Sequence, residues 1–188
     1  TDTEVVLHLY EDEGEKMLSK LRGMFAFCIY NKGQNSLFIA RDYFGIKPLY
    51  YFMKDGEIAS FASEIKSLLL HPEYKREVND EAVFNYFSFQ YNPLKETMFK
   101  NIYKLDPGSF LRINLKDGKF KEERYWSFGF AQDEKMDEKK GAEELLKKLE
   151  DSVRHHMVSD VPIGSFLSGG IDSAIIAALM KKAGAANS

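Results

Sequence analysis

VPIGSFLSGGIDSAIIAALMK, residues 161–181, reads as an apolar strand over 161–167, a Ser/Gly turn, and an apolar helix from about Ser173 to Lys181. Strand, glycine turn and helix, after an earlier helix, open an α/β nucleotide-binding unit. Within this stretch Ser168-Gly169-Gly170-Ile171-Asp172-Ser173 is the sharpest chemical signal of the chain. Glycines without Cβ let backbone N–H groups approach an anion closely, the helix N-terminus adds partial positive charge, and Ser168 and Ser173 supply hydroxyl donors. Asp172 would repel a bare phosphate, so it points to Mg²⁺ carried with a nucleotide or to capping of the helix. A glycine pair alone reads as a turn before a capped helix with no ligand. The strand-to-helix setting and the two serines turn the reading towards phosphate or pyrophosphate. The GK[ST] ending of a Walker A loop is missing.

Working upstream, Ala142, Leu145, Leu146, Leu149, Val153 and Met157 recur at spacings of three and four, one apolar face of a helix. The stretch 131–140 is charged and nearly devoid of large apolar groups, which makes it the expected boundary between a first domain, 1–130, and a second, 131–188. The first domain mixes strands with short helices. Residues 4–21 fit an interrupted helix closed by Gly23. MFAFCIY, 24–30, is an unbroken apolar run and so is expected to be a strand covered on both faces. After the turn 31–35, strands follow at 36–40 and 49–53. A DG turn at Asp55-Gly56 leads into another at 57–62. Short helices are predicted near 63–70 and 79–89, the second capped by Asn79 or Asp80. A further hairpin, 109–115 with 120–126, turns at Asp117-Gly118.

The 188 residues carry 26 Lys and Arg against 29 Asp and Glu, a net charge of −3, with 44% hydrophobic residues. Collagen, coiled coil and wholesale disorder are excluded by that balance. With no basic stripe, nucleic acid and anionic membranes are not expected partners, and no apolar run approaches the roughly 20 residues of a membrane span. A single cysteine, Cys28, makes no internal disulfide and fits a reducing, cytoplasmic location. The chain opens on Thr1 rather than Met and stops just after a short helix, so a fragment of a longer protein is expected.

SDVPIGSFLSGGIDSAIIAAL resembles the pyrophosphate loop of the asparagine synthetase family, whose members are N-type ATP pyrophosphatases. LRGMFAFCIYN, LFIARDYFGIKPLYY and FASEIKSLL resemble the later part of the same family's glutaminase domain, and NIYKLDPGSFLRINL with ERYW its end and linker. The resemblance covers almost the whole chain in the family's order. It implies an α+β and α/β chain: a partial N-terminal-nucleophile (Ntn) αββα sandwich, then the start of an adenine-nucleotide alpha-hydrolase-like (PP-loop) domain. The implied activity is that of a glutamine-hydrolysing asparagine synthase, an ATP-dependent amide ligase. Ammonia released from glutamine would displace AMP from β-aspartyl-AMP. ATP and Mg²⁺ are the implied cofactors, glutamine and aspartate the small-molecule substrates, and a homodimer the implied assembly. Carried over by position, Leu167, Ser168, Gly169, Gly170, Asp172 and Ser173 match the residues around ATP and pyrophosphate, with Asp172 reaching Mg²⁺ through the nucleotide. Asp2 matches the aspartate that holds the α-amino group of glutamine, although a lone Asp near a helix start reads equally as a solvated or capping carboxylate.

The departures are as informative. The glutaminase nucleophile should be a cysteine whose own amino group serves as base, and no such residue opens this chain. No catalytic residue is therefore assigned, and the chain by itself is expected to perform neither half-reaction. Cys28, inside an apolar strand, reads as a small buried hydrophobe. Thr1 aligns with the interior of a glutaminase domain, which argues against an N-terminal threonine nucleophile. His155 and His156 suit a helix C-terminus better than a metal site, for want of ligands at the right spacing. Arg41, Asp42 and Lys47 fall in a turn and read as solvated or paired charges. By the resemblance, Phe44, Gly45, Ile46 and Pro48 would pack towards the second domain. Two rivals stay open: a paralogue that adenylates another carboxylate, and a non-catalytic interaction module.

Overall fold

The computed structural model describes residues 1–131 and 136–185. Two units divide the chain, Thr1–Gly129 and Phe130–Ser188.

In the first unit, helix α1 (Asp2–Glu13) starts on a capping box: Thr1 Oγ1 accepts from the Glu4 amide, and the Glu4 carboxylate takes the Thr1 amino group. Gly14 at φ 57° ends it, and a 3-10 turn, Gly14–Ser19, continues the chain. Seven strands follow: β1 (Ala26–Asn31), β2 (Ser36–Arg41), β3 (Tyr50–Lys54), β4 (Glu57–Ala62), β5 (Ile102–Lys104), β6 (Ser109–Asn114) and β7 (Phe120–Arg124). They form two antiparallel sheets, ordered β1-β2-β6-β7 and β4-β3-β5. Helices α2 (Ile65–Leu68) and α3 (Asp80–Phe89) lie between β4 and β5. Asn79 is the cap of α3, its Oδ1 accepting from Ala82 N at 3.2 Å, which settles the choice between Asn79 and Asp80.

Period-two alternation explains the layers. Phe38, Ala40 and Phe110 point to one side of the larger sheet and pack with Met17 and Leu18 of the 3-10 turn and with Val6, Leu9 and Tyr10 of α1. Leu37, Ile39, Leu111 and Ile113 point to the other side and meet Tyr51 and Met53 of the smaller sheet. The alternate residues of β3, Tyr50 and Phe52, face outward again and pack with Ile65, Leu68 and Leu69 around α2. The order is helix, sheet, sheet, helix, the αββα layering expected for this unit. Each large apolar side chain fully buried there contributes roughly 1.5–3 kcal/mol.

One expectation for the first unit is corrected. MFAFCIY is not covered on both faces, because β1 is the edge of its sheet. Ile29 is buried, but Cys28 and Tyr30 on the opposite face are exposed. A four-stranded sheet lying over a three-stranded one leaves part of its inner face without a counterpart.

The second unit contains α4 (Glu138–His156) and α5 (Ile171–Ala185). Asp137 caps α4 through its side chain, 2.8 Å from the Lys140 amide. Of the apolar face of α4, Val153 is buried while Leu145 and Leu146 remain exposed. Lys182 of α5 donates to Glu150 of α4 at 2.6 Å. The strand expected at 161–167 is not formed. A parallel α/β strand gains its hydrogen bonds from neighbouring strands, and the described residues of this unit supply none. Among the described residues no helix is long and apolar enough to cross a membrane.

Candidate functional site

Two places hold the residues to which the sequence points, one in each unit. In the second unit, Gly169 adopts φ 82°, a backbone that admits residues with a Cβ only under strain. This bend turns the chain into α5, whose first-turn amides have no carbonyl one turn back to bond. A short hydroxyl network braces the bend. Ser173 Oγ accepts from the Ser168 amide at 3.3 Å, lies 3.0 Å from Ser168 Oγ, and donates to the Gly170 carbonyl at 3.1 Å. The serines are thus occupied in shaping the loop, and the N–H groups at the start of α5 are the donors that face an incoming anion. A Cβ at Gly169 would meet open space, so the loop is approachable from that side.

This donor set fits a di- or triphosphate: amides at a helix N-terminus, hydroxyls within reach, and the exposed carboxylate of Asp172 to carry a hydrated Mg²⁺. Leu167, 67% exposed just before the bend, offers an apolar surface of the kind on which a flat base rests. The structure places Leu167, Ser168, Gly169, Gly170, Asp172 and Ser173 in one continuous stretch running through the bend into the first turn of α5, exposed except for the half-buried Ser173.

Asp2 belongs to the other place. It lies in the first turn of α1, where its Oδ1 accepts from the Thr3 amide at 2.9 Å. It also lines a cleft of about 800 Å³, with Val5, Leu21, Arg22, Met24 and Lys47 among the other walls. Carboxylate and ammonium groups on an otherwise apolar rim suit a small zwitterion.

Cys28 is exposed rather than buried, yet the packing around it desolvates its thiol and holds it above the ordinary thiol range, away from nucleophilic thiolate. The Thr1 amino group is engaged in the α1 capping box. His155 and His156 set their Nδ1 atoms 2.7 Å and 2.9 Å from the carbonyls of Asp151 and Ser152, within the last turns of α4. Among the described residues no group of three His, Cys, Asp or Glu gathers to hold a metal.

Sequence reasoning missed the turn between β2 and β3. Asp42 is neither solvated nor paired with a cation: it is 1% exposed and accepts three backbone amides, from Phe44, Ile46 and Lys47. Arg41 donates instead to the carbonyls of Gly45, Lys47 and Leu105. Burial pulls the Arg41 guanidinium below its ordinary value, against the pull of nearby Asp42. Phe44, 63% exposed, rests its ring edge-on against Trp126. The available signal was Gly45 three residues after the Arg41-Asp42 pair, a spacing that lets the turn fold back over both charges.

Residues 1–126 match the family described as glutamine amidotransferase domain, and residues 144–187 match asparagine synthase. Among curated relatives, asparagine synthetase [glutamine-hydrolyzing] 1 of Bacillus subtilis is 44% identical, the match covering 97% of this chain and 28% of that protein. Putative asparagine synthetase [glutamine-hydrolyzing] 2 of Methanocaldococcus jannaschii is 39% identical, covering 97% of this chain and 35% of that protein. Amidase chyE of Penicillium rubens is 32% identical, with 96% of this chain and 26% of that protein covered. The chain thus spans about a quarter to a third of the length of these relatives.

Proposed function

The chain belongs to the glutamine amidotransferase domain family, and from that membership we propose that it is part of a glutamine-hydrolysing asparagine synthetase. The observation that carries the proposal is the order of two family matches on one chain, glutamine amidotransferase first and asparagine synthase second. Residues 1–130 are then the later part of the glutaminase domain and residues 131–188 the start of the ATP-pyrophosphatase domain. Asp2 holds the α-amino group of glutamine as a counter-charge in the cleft. The amides that follow Gly169 receive the phosphates of ATP, and Ser168 and Ser173 keep the bend in shape for them. Asp172 meets the Mg²⁺ that comes with the nucleotide. ATP supplies what the carboxylate of aspartate lacks, a leaving group, and the loop's share of catalysis is electrostatic: fixed N–H dipoles aimed at the charge that builds on departing pyrophosphate. A cytoplasmic location accompanies this reading, in line with a single cysteine, as does a homodimer, which light scattering of the full-length protein would detect.

The test uses the full-length protein with ATP, Mg²⁺, aspartate and either glutamine or ammonia, and follows pyrophosphate and asparagine. Asp2→Asn is expected to cut the glutamine-supported rate about a hundredfold while sparing the ammonia-supported one. Asp172→Ala is expected to cut both by a similar factor. No pyrophosphate release in response to aspartate would sink the assignment. The relative named as an amidase, 32% identical, favours one second reading, a paralogue acting on a different carboxylate. That outcome would appear as pyrophosphate release with another acid and none with aspartate, since specificity is set by side chains that touch the acid.

A further inference from the structure

The turn RDYFGIK, residues 41–47, is held by two neighbouring charges that bond to the backbone rather than to each other. Asp42 receives the amides of Phe44 at 3.2 Å, Ile46 at 2.9 Å and Lys47 at 2.9 Å, while Arg41 donates to the carbonyls of Gly45 at 2.6 Å and Lys47 at 2.8 Å and to that of Leu105. Donors and acceptors of one short loop are thus satisfied from opposite sides by neighbouring side chains. Gly45 must be glycine, with φ 64° and a Cβ that would stand 2.9 Å from Arg41 Cζ and 3.0 Å from Pro107 Cγ. A carboxylate that gathers three amides is a strong and directional clamp, well beyond what an ordinary surface turn needs.

Both ends of the clamped turn bear on the Asp2 cleft. Lys47 and Pro48 stand in its wall directly. On the other side, the Tyr43 hydroxyl lies 2.8 Å from the Leu18 carbonyl and 3.1 Å from that of Leu21, and shares its proton between them. These carbonyls fix the exit of the 3-10 turn, and Leu21, Arg22 and Met24 line the cleft just beyond it. The geometry points to Asp42 as a positioning residue for the amino-acid cleft, acting through Lys47 and Pro48 on one wall and through Tyr43 and Leu21 on the other. The inference rests on the glutaminase reading of that cleft. Misplacement of a binding wall by about 1 Å is enough to cost about a hundredfold in turnover of a bound substrate.

The test compares Asp42→Asn and Tyr43→Phe in the full-length protein. Asp42→Asn keeps the size but sets an NH₂ group against backbone amides; Tyr43→Phe removes one hydroxyl and leaves the clamp in place. For Asp42→Asn the KM for glutamine should rise about tenfold, with ammonia-supported pyrophosphate release within about twofold of wild type. Tyr43→Phe should move the glutamine KM in the same direction by about threefold, with the melting temperature nearly unchanged. A merely structural role would lower the melting temperature and leave the glutamine KM alone. Folded variants whose glutamine KM stays within about twofold of wild type would overturn the inference. Should Asp42→Asn fail to fold, an unchanged KM in Tyr43→Phe overturns it alone. A wild-type protein that hydrolyses no glutamine refutes the glutaminase reading first and the inference with it, so the two failures are distinguishable.

Discussion

Phe38 is 1% exposed and Phe166 is 99% exposed, although both stand in apolar runs of strand length. The first has β1 and β6 on either side of its strand and the 3-10 turn above it. The second, among the described residues, has no strand beside it. An apolar run reports that a segment is fit for burial; whether it becomes a strand is decided by partners that supply hydrogen bonds and cover. The same contrast runs through both units. The first buries Ile39, Leu105 and Ile102 completely, while Val153 and Leu179 are the buried apolar side chains described in the second. Stability is therefore concentrated in the sandwich, and the glycine turn at 168–170 sits on a two-helix unit whose described residues bury little core.

The largest effect expected from that contrast is at Phe38. Phe38→Ala removes a ring that contacts Tyr10 at 5.0 Å and Phe110 at 5.2 Å between centroids, and should cost about 3–5 kcal/mol. Urea denaturation followed by Trp126 fluorescence reads the first unit, which contains the chain's single tryptophan. A loss below about 1 kcal/mol would mean that the cluster repacks freely, and that the sandwich is no better fixed than the second unit.

A pair of glycines gives a smaller and sharper contrast. Gly108 at φ 63° and Gly169 at φ 82° both use the left-handed region, so alanine is strained at either. At Gly108 the added Cβ would also stand 2.6 Å from the Trp126 carbonyl oxygen, whereas at Gly169 it meets nothing within 4 Å. Gly169→Ala should cost about 1–2 kcal/mol from backbone conformation alone, and Gly108→Ala about 2–3 kcal/mol or more because backbone must also shift. Far-UV circular dichroism during urea titration measures both. Equal losses would show that crowding at Gly108 relaxes without penalty.

Much of the sandwich was legible because its signals are local. The DG turns at Asp55-Gly56 and Asp117-Gly118 mark two hairpins, and both pairs of strands form. Alternation in β2, Leu37 and Ile39 against Phe38 and Ala40, assigns residues to two faces without a structure. What could not be read was position within the sheet. MFAFCIY has the composition of a central strand, and its place at the edge depends on where β6 pairs, some eighty residues away. In the candidate sites the glycine turn was legible from chemistry alone. The clamp by Arg41 and Asp42 was not, because a buried Asp satisfied by amides and a solvated Asp are the same letter; only the fold of the chain around Gly45 distinguishes them.

The smallest expected effect sharpens the contrast most. Phe166→Ala in this chain removes a ring that lies almost wholly in solvent, so the change in stability should stay within about 0.5 kcal/mol. Thermal unfolding followed at 222 nm would reveal a larger loss, and such a loss would mean that 161–167 packs in solution after all. The full-length protein provides the other arm. If further strands there flank 161–167, the segment gains the two covered faces that its sequence suits, and the same substitution then costs about 3–5 kcal/mol, the range of a buried phenylalanine. A negligible cost in this chain and a large one in the full-length protein would show that the absent partner strands, and not the residues of 161–167, keep the segment from forming a strand. A negligible cost in both would leave Phe166 without a structural role, and the apolar run before the glycine turn would then belong to a surface rather than to a sheet.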